Sequence, residues 1–188
     1  MKKVIFLLFI SILFITGCSV KKTTELSSSE RFAAEYSISE DNPFLYATID
    51  EVLEILEDGT GIIFFANSDC EWCIATADIL NDALNYKNID EVYYYNPKTL
   101  EEKSPKKYKK LIQLLEKYLE KNEEEEVQLY LPDVYFVKDG KIIGHNNDTA
   151  TMNGTVDEAL TKKNKKILEN KYLELISDYN ALKCTDNC

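Results

Sequence analysis

The sequence predicts an α/β domain in which a β-sheet is flanked by helices. Segments with apolar residues at helical spacing alternate along the chain with short apolar or aromatic runs that are typical of strands. Near the C-terminal side, two strand-like runs at Pro132–Val137 and Lys141–Gly144 are separated only by Asp139-Gly140, which predicts a tight antiparallel hairpin.

Each element is predicted from its own pattern. The helices show apolar residues every three to four positions, and the strands are continuous apolar or β-branched and aromatic runs. In chain order we expect a helix at Thr48–Glu57, a strand at Ile62–Ala66, a helix that carries Cys73, Ala77, Leu80 and Leu84 on one face, a strand at Glu91–Asn96, a helix at Pro105–Lys121, the hairpin, and a closing helix at Thr155–Leu182. The lysine-rich stretch Lys162–Lys166 is where the closing helix is expected to divide into two pieces.

Residues 1–17 have the pattern of an export signal. Two lysines precede the apolar stretch Val4–Ile15, which is shorter than the roughly 20 residues that a spanning helix needs. The following Ile15-Thr16-Gly17-Cys18 resembles a bacterial lipobox, which implies cleavage before Cys18 and attachment of lipid to its sulfur. The alternative is an ordinary secretory signal beside an incidental cysteine. We therefore expect an extracytoplasmic protein that is lipid-anchored to the bacterial cell membrane.

The rest of the chain divides by composition. Residues 18–45 are rich in Ser, Thr, Lys and Glu and predict a flexible tether, whose Phe32–Tyr36 end is a candidate for a short helix. Residues 46–183 suit one domain with one core, and 184–188 form a cysteine-containing tail.

The charge balance excludes some partners. The chain has 33 acidic and 22 basic residues, a formal net charge of −11, so its surface repels nucleic acid and anionic lipid headgroups. We expect neither as a partner, and we expect a monomer. The acidic run Glu123–Glu126 predicts a solvated loop, since consecutive carboxylates do not converge on a metal ion. No metal site is predicted.

Export also bears on the cysteines, because disulfides persist outside the cytoplasm. If Cys18 is lipidated, Cys70, Cys73, Cys184 and Cys188 remain as an even set with three possible pairings. Close spacing favours the pairs Cys70–Cys73 and Cys184–Cys188. For the second pair, a local disulfide, a redox couple that passes electrons to the first pair, a metal site and free thiols all stay open.

The pair Cys70-Glu-Trp-Cys73 lies where a predicted strand gives way to a predicted helix. At the start of a helix, free backbone N–H groups and the helix dipole favour a thiolate on the first cysteine. The second cysteine, one turn further on, is close enough to attack a mixed disulfide and resolve it. This spacing indicates thiol–disulfide chemistry that uses no diffusible cofactor.

The element order, the Cys70–Cys73 motif and the segment Leu131-Pro132 to Gly144 together resemble the thioredoxin-like superfamily over roughly residues 48–180. The resemblance implies a central mixed β-sheet flanked by helices, with Cys70 as the exposed nucleophile and Cys73 as the resolving thiol. It also implies a cis peptide bond at Pro132, beside the cysteine pair, and a backbone at Leu131 that is offered to extended substrate. Trp72 would line the rim of the site, or would serve only as a packing side chain.

Two departures from that family's pattern bear on chemistry. The sequence lacks the Trp-Cys-Gly-Pro-Cys form, and Ile63 and Phe64 stand where many thioredoxins hold a buried acid that assists proton transfer. Asp69, Glu71 or water would have to take that role. Negative charge beside Cys70 also opposes its thiolate, so we expect a thiol pKa that is less depressed than in strongly oxidising relatives.

These inferences predict a membrane-anchored thiol–disulfide oxidoreductase, either a reductase or an isomerase. Its partners would be disulfides of secreted or surface proteins and a membrane electron donor. Two alternatives remain: an accessory module for a secreted client, loosely similar to the thioredoxin-like proteins that accompany bacteriocin export, and a purely structural disulfide at Cys70–Cys73. The only histidine, His145, is expected at the surface.

Overall fold

The computed structural model describes residues 26–122 and 124–184, with the backbone alone at 183 and 184. It confirms an α/β architecture in which a mixed sheet is flanked by helices. The helices are α1 Ser28–Tyr36, α2 Ile49–Glu57, α3 Glu71–Tyr86, α4 Leu100–Lys103, α5 Pro105–Leu115, α6 Val156–Ala159 and α7 Lys162–Cys184. The strands are β1 Phe44–Tyr46, β2 Gly61–Phe65, β3 Val92–Tyr95, β4 Glu120–Lys121, β5 Val127–Gln128, β6 Asp133–Lys138 and β7 Lys141–Asn146.

The main sheet has five strands in the order β1-β3-β2-β6-β7. The first three are parallel, whereas β6 runs antiparallel to β2 and β7 runs antiparallel to β6. The predicted β6–β7 hairpin is confirmed, and both turn residues, Asp139 and Gly140, have positive φ (48° and 68°). A Cβ atom on Gly140 would come within 2.1 Å of the carbonyl oxygen of Glu57, so the close approach of α2 requires glycine there.

Two hydrophobic cores form, one on each face of the sheet. Successive side chains of a strand point to opposite faces, so Ile62 and Phe64 of β2 enter one core while Ile63 and Phe65 enter the other. The first core is covered by α1, α3 and α7, and the second by α2 and α5. The predicted apolar face of α3 is confirmed: Cys73, Ala77, Leu80 and Leu84 are all fully buried.

The fold includes residues that precede the expected tether boundary at residue 45. Ser27 caps α1 in a reciprocal capping box with Glu30, and the helix lays Phe32 and Tyr36 into the first core. The Phe32 ring stacks on Phe44 of β1 with centroids 4.0 Å apart. The residues from Ser28 onward therefore belong to the fold, because aromatic burial against the sheet anchors a segment whose composition alone predicts a linker.

The helix predicted at Pro105–Lys121 is shorter than expected. It ends at Leu115, is followed by a 3₁₀ turn over Glu116–Tyr118, and gives way to a small β4–β5 hairpin that carries the acidic loop. The Tyr118 hydroxyl donates to the carbonyl of Ile142 (3.2 Å), and its ring meets Tyr135 edge-on. Because Tyr118 makes these contacts with the β6–β7 hairpin, the helix does not continue to Lys121.

The closing helix divides just before the lysine-rich stretch rather than within it. Leu160 is buried, and Asn164 donates to the carbonyl of Ala159 (2.6 Å) across the break. The hydroxyl of Thr161 accepts the N–H of Asn164, which gives α7 a fresh N-terminal cap. The lysines therefore begin the second helix.

Several predictions concern residues outside those that the structure describes. The signal at 1–17, lipidation of Cys18 and the first part of the tether lie there, as does Cys188, while Cys184 is described only as the last backbone position of α7. Within the described chain, no helix is long and apolar enough to cross a membrane.

Candidate functional site

The turn that follows β2 positions Cys70 at the start of α3. The Cys70 N–H donates to the carbonyl of Asn67 (3.0 Å), and the side chain of Asn67 accepts the N–H of Asp69 (3.1 Å). Cys70 keeps extended backbone angles (φ −104°, ψ 115°), while its carbonyl already accepts the first helical hydrogen bond, from Ile74 (3.0 Å). It is thus the N-cap residue of a sixteen-residue helix.

The two thiols differ sharply in environment. Cys70 is half-buried at the surface of the first core, whereas Cys73 is fully buried within it. Both are free thiols, and the Cys73 backbone N–H donates to Cys70 Sγ at 3.2 Å. A partner molecule can therefore reach the first sulfur, while the second is shielded one turn behind it.

Hydrogen bonds lower the pKa of Cys70 to about 6. The largest contribution comes from the Cys73 side chain, and the backbone N–H groups of Cys73 and Trp72 add to it. Partial burial and the negative charge of Glu71 act in the opposite direction. The balance favours a thiolate near neutral pH, which is the reactive form of a cysteine.

The same pair of interactions moves the pKa of Cys73 in the other direction. Its hydrogen bond to Cys70 and its burial both raise that pKa well above the ordinary thiol value. Cys73 therefore keeps its proton as long as Cys70 carries the negative charge. The pair consists of one thiolate and one protonated thiol that donates to it.

Leu131 and Pro132 lie at the same end of the sheet as the cysteines. Asp133, the residue after Pro132, pairs with Phe65, which is the last residue of β2 before the cysteine turn. The Leu131–Pro132 peptide bond is cis, and Pro132 is buried. Leu131 is half-buried and packs against both cores, so it contributes apolar surface at this end of the sheet.

Trp72 is half-buried and packs against the first core, the one that contains Cys73. Part of its indole surface faces solvent beside the cysteine turn. The packing role and the rim role that the sequence leaves open are therefore compatible in one side chain.

Asp69 and Glu71, the residues considered for proton transfer, are both exposed. Asp69 forms an ion pair with Lys98 (2.7 Å) on the loop after β3. Glu71 lies in the first turn of α3, where its charge acts on Cys70 through space. Neither carboxylate is a buried acid near Cys73.

A buried acid does exist at Asp133, which sequence reasoning missed. Asp133 is 1 % exposed, and its Oδ1 lies 3.2 Å from Nδ1 of His145. Burial raises the pKa of Asp133, and the hydrogen bond with His145 opposes that rise. By strand alternation, Asp133 shares a face with Tyr135 and so lies on the side of the sheet opposite Cys73. The available signal was a charged residue directly after proline in an otherwise apolar strand.

His145 is not the surface residue that was expected. Its side chain is only 23 % exposed, and its ring stacks on Tyr135 with centroids 5.1 Å apart. Tyr118 meets the same ring edge-on at 5.3 Å. His145 is partly buried because it pairs with the buried carboxylate of Asp133, and a buried charge without a partner is energetically costly.

Among the residues of known placement, 26–122 and 124–184, no group of three or more His, Cys, Asp or Glu side chains could hold a metal ion. Arranged in this way, the site offers a partly exposed thiolate, a protected second thiol and a half-buried apolar rim. Those parts suffice for nucleophilic attack on a sulfur atom and for the return attack of the second thiol.

No family model matches the chain, and no curated protein resembles it closely enough to count as a relative.

Proposed function

We propose that the protein is a thiol–disulfide oxidoreductase of the thioredoxin-like class. The observation that carries the proposal is the pairing of a half-buried Cys70, whose pKa is lowered to about 6, with a fully buried Cys73 that donates to it from one helical turn away. A cysteine pair that served only as a structural link would gain nothing from an activated, reachable sulfur.

The reaction would run in two exchanges. The Cys70 thiolate attacks one sulfur of a substrate disulfide, the substrate S–S bond breaks, and one substrate thiolate leaves. Cys73 then loses its proton and attacks Cys70 Sγ, which releases the second substrate thiol and leaves a Cys70–Cys73 disulfide. The pair has then given two electrons and one proton to the substrate, and the departing substrate thiolate takes its proton from water. A membrane protein with its own dithiol would reduce the Cys70–Cys73 disulfide again.

The rim would hold the substrate chain during the first exchange. Leu131 offers half-buried apolar surface and its backbone beside Pro132, and Trp72, two residues after Cys70, offers a partly exposed ring. Extended polypeptide bound to such a rim would present its disulfide to Cys70. The thioredoxin-like assignment is further supported by the mixed sheet, with α3 directly after β2 and the β6–β7 hairpin after Pro132.

The pKa of Cys70 favours a reductase or isomerase over a strong oxidant. Strongly oxidising members of the thioredoxin-like class stabilise their thiolate further, with a cysteine pKa of about 3.5, whereas thioredoxin itself has about 7. We expect a reduction potential well below about −120 mV, the value of a strong oxidant. Equilibration with glutathione buffers measures it, and a value near −120 mV would reverse the proposed direction of electron flow.

Attachment to the outer face of the cell membrane is part of the proposal and depends on Cys18. Metabolic labelling with radioactive palmitate should label the wild-type protein and not a Cys18→Ala variant. Equal labelling of both proteins would contradict lipidation at Cys18, but it would not bear on the proposed thiol chemistry.

Turnover tests the proposal as a whole. The purified protein should accelerate the reduction of insulin by dithiothreitol, and Cys70→Ala should abolish the acceleration. Ser68→Ala, in the same turn, serves as the matched control and should retain it. A wild-type protein without activity, but with one covalently trapped partner in its Cys73→Ala form, would favour the accessory module. No activity and no trapped partner would leave a structural pair.

A further inference from the structure

A groove opens beside Cys70, between the start of α3 and the start of α6. It has a volume of ≈ 520 Å³. Its lining residues are Glu71, Ile74, Ala75, Thr155, Val156 and Asp157. Glu71 follows Cys70 directly in sequence, and Ile74 donates its N–H to the carbonyl of Cys70, so two residues that line the groove adjoin the backbone of the reactive cysteine.

The floor of the groove is apolar and anchored. Ile74, Ala75 and Val156 are half-buried and pack against the first core. The α6 side is held by a capping box in which Glu158 accepts from the N–H of Thr155 (3.1 Å) and from its hydroxyl (2.9 Å). A rigid floor of this kind suits the side-chain stems of a bound polypeptide.

The rim of the groove is acidic. Glu71 and Asp157 are exposed on its two sides, and Asp78 and Asp82 continue the negative charge along α3 at helical spacing. None of these four forms an ion pair with a lysine or arginine among the residues that the structure covers. Asp69, on the other side of Cys70, differs because Lys98 neutralises it.

The acidic side chains along α3 also act on one another. Burial raises the pKa of Asp82, and the nearby charges of Asp78 and Glu169 raise it further. Like charges therefore accumulate on this surface without compensation at Asp82, although Lys166 pairs with Glu169 itself (2.8 Å). Such a surface attracts cationic groups and repels anionic ones.

We propose that this groove binds a cationic stretch of the substrate polypeptide, so that the preferred disulfides are those whose cysteines have lysine or arginine neighbours. The lysine or arginine stems would lie on the apolar floor, and their charged ends would meet Glu71 and Asp157. The inference rests on the proposed function, because it names the substrate class of the same cysteine site. Electrostatic complementarity would act mainly on the rate of encounter.

The test uses three symmetric disulfide dimers of one Gly/Ser octapeptide, with two lysines, two glutamines or two glutamates beside the cysteine. Rates of reduction by the reduced protein are each divided by the rate with dithiothreitol at the same pH. This correction removes the effect of flanking charge on the leaving thiol. In the wild type, the lysine peptide should react about tenfold faster than the glutamate peptide at low salt. At 0.5 M salt the preference should largely disappear, because screening is then strong.

The variant Glu71→Gln/Asp157→Asn should lose most of the preference at low salt. Its matched control is Glu40→Gln/Asp90→Asn, which removes the same two charge types from exposed positions before β1 and β3, at the opposite end of the sheet from Cys70. The control should keep the preference. Equal corrected rates for all three peptides in the wild type, or an unchanged preference in the groove variant, would overturn the groove's role while leaving the oxidoreductase intact. Failure of every peptide to react would instead contradict the proposed function.

Discussion

At the scale of single residues, Cys70 gains its acidity from hydrogen bonds. The Cys73 side chain and the N–H groups at the start of α3 lower its pKa, while the nearest charge, on Glu71, raises it. Donors fixed in the first turn of a helix need no rearrangement when the thiolate forms. The reactivity of the site is therefore built into the helix terminus itself.

This origin predicts how Cys70 titrates. The rate of its alkylation by iodoacetamide should rise with pH around a midpoint near 6. In Cys73→Ala, which removes the largest stabilising hydrogen bond, the midpoint should move up toward the ordinary thiol value of roughly 8.5. A wild-type midpoint near 8.5, or one unchanged by the substitution, would show that the hydrogen bond does not stabilise the thiolate.

Asp133 gives a prediction on stability. Burial raises its pKa, so the folded protein binds a proton over a pH interval in which the unfolded chain has released it. The contribution of Asp133 to the unfolding free energy therefore becomes less favourable as pH rises from about 3.9, the value of the unfolded chain, through the raised value. Asp133→Asn lacks this titration, so its unfolding free energy relative to the wild type should increase as pH rises from 4 to 7.

Urea unfolding at several pH values measures that difference. Asp90→Asn, at an exposed aspartate, is the control for the loss of one negative charge. A relative stability of Asp133→Asn that decreases over this interval would mean that the pairing with His145 outweighs the cost of burial.

At the scale of elements, α1 is a segment whose composition predicts a linker but which tertiary contacts stabilise as a helix. Its capping box defines where the helix begins, and Phe32 and Tyr36 then stack in the first core. A helix of nine residues is marginal on its own, so its stability comes from this packing.

Truncation of the Phe32 side chain should therefore be costly. Phe32 is fully buried, and Phe32→Ala should lower the unfolding free energy by about 3–5 kcal/mol through lost burial and the cavity left behind. Leu26→Ala, just before the helix at a side chain that is 61 % exposed, should change it by less than about 0.5 kcal/mol. Urea unfolding measures both changes. If Phe32→Ala lowered the unfolding free energy as little as Leu26→Ala does, residues 28–36 would belong to the tether and not to the folded domain.

The elements differ in how far sequence predicts them. The helix α2, the buried face of α3 and the β6–β7 hairpin follow from apolar spacing and from turn residues, which are local signals. The end of α5 depends on where Tyr118 packs, and the burial of His145 depends on a partner twelve residues away. At the site, the sequence predicts Cys70 and Cys73 as the reactive pair, because they are three residues apart and lie between a predicted strand and a predicted helix. The groove between α3 and α6 cannot be predicted from the sequence, because its two sides are about eighty residues apart in the chain.

At the scale of the whole molecule, the features of the site gather at one end of the sheet. The parallel strands β2 and β3 both end there, and their following loops meet through a hydrogen bond from Asn96 to Asn67 (3.3 Å) and the ion pair of Lys98 with Asp69. The start of β6, with Pro132, joins them from the antiparallel side. The carboxyl ends of parallel strands are a common location for binding sites, because loops converge there over a rigid sheet.

The central claim is that Cys70 is the attacking thiol and Cys73 the resolving thiol. Covalent trapping followed by peptide mass mapping tests it most directly. Reduced wild type, Cys73→Ala and Cys70→Ala are each mixed with an excess of hydroxyethyl disulfide. At these two positions we expect Cys73→Ala to hold a stable adduct on Cys70, and the wild type to finish as an intramolecular Cys70–Cys73 disulfide. We expect Cys73 of Cys70→Ala to react far more slowly, because its side chain is buried. Adduct formation on Cys73 of Cys70→Ala as fast as on Cys70 of Cys73→Ala would contradict the account.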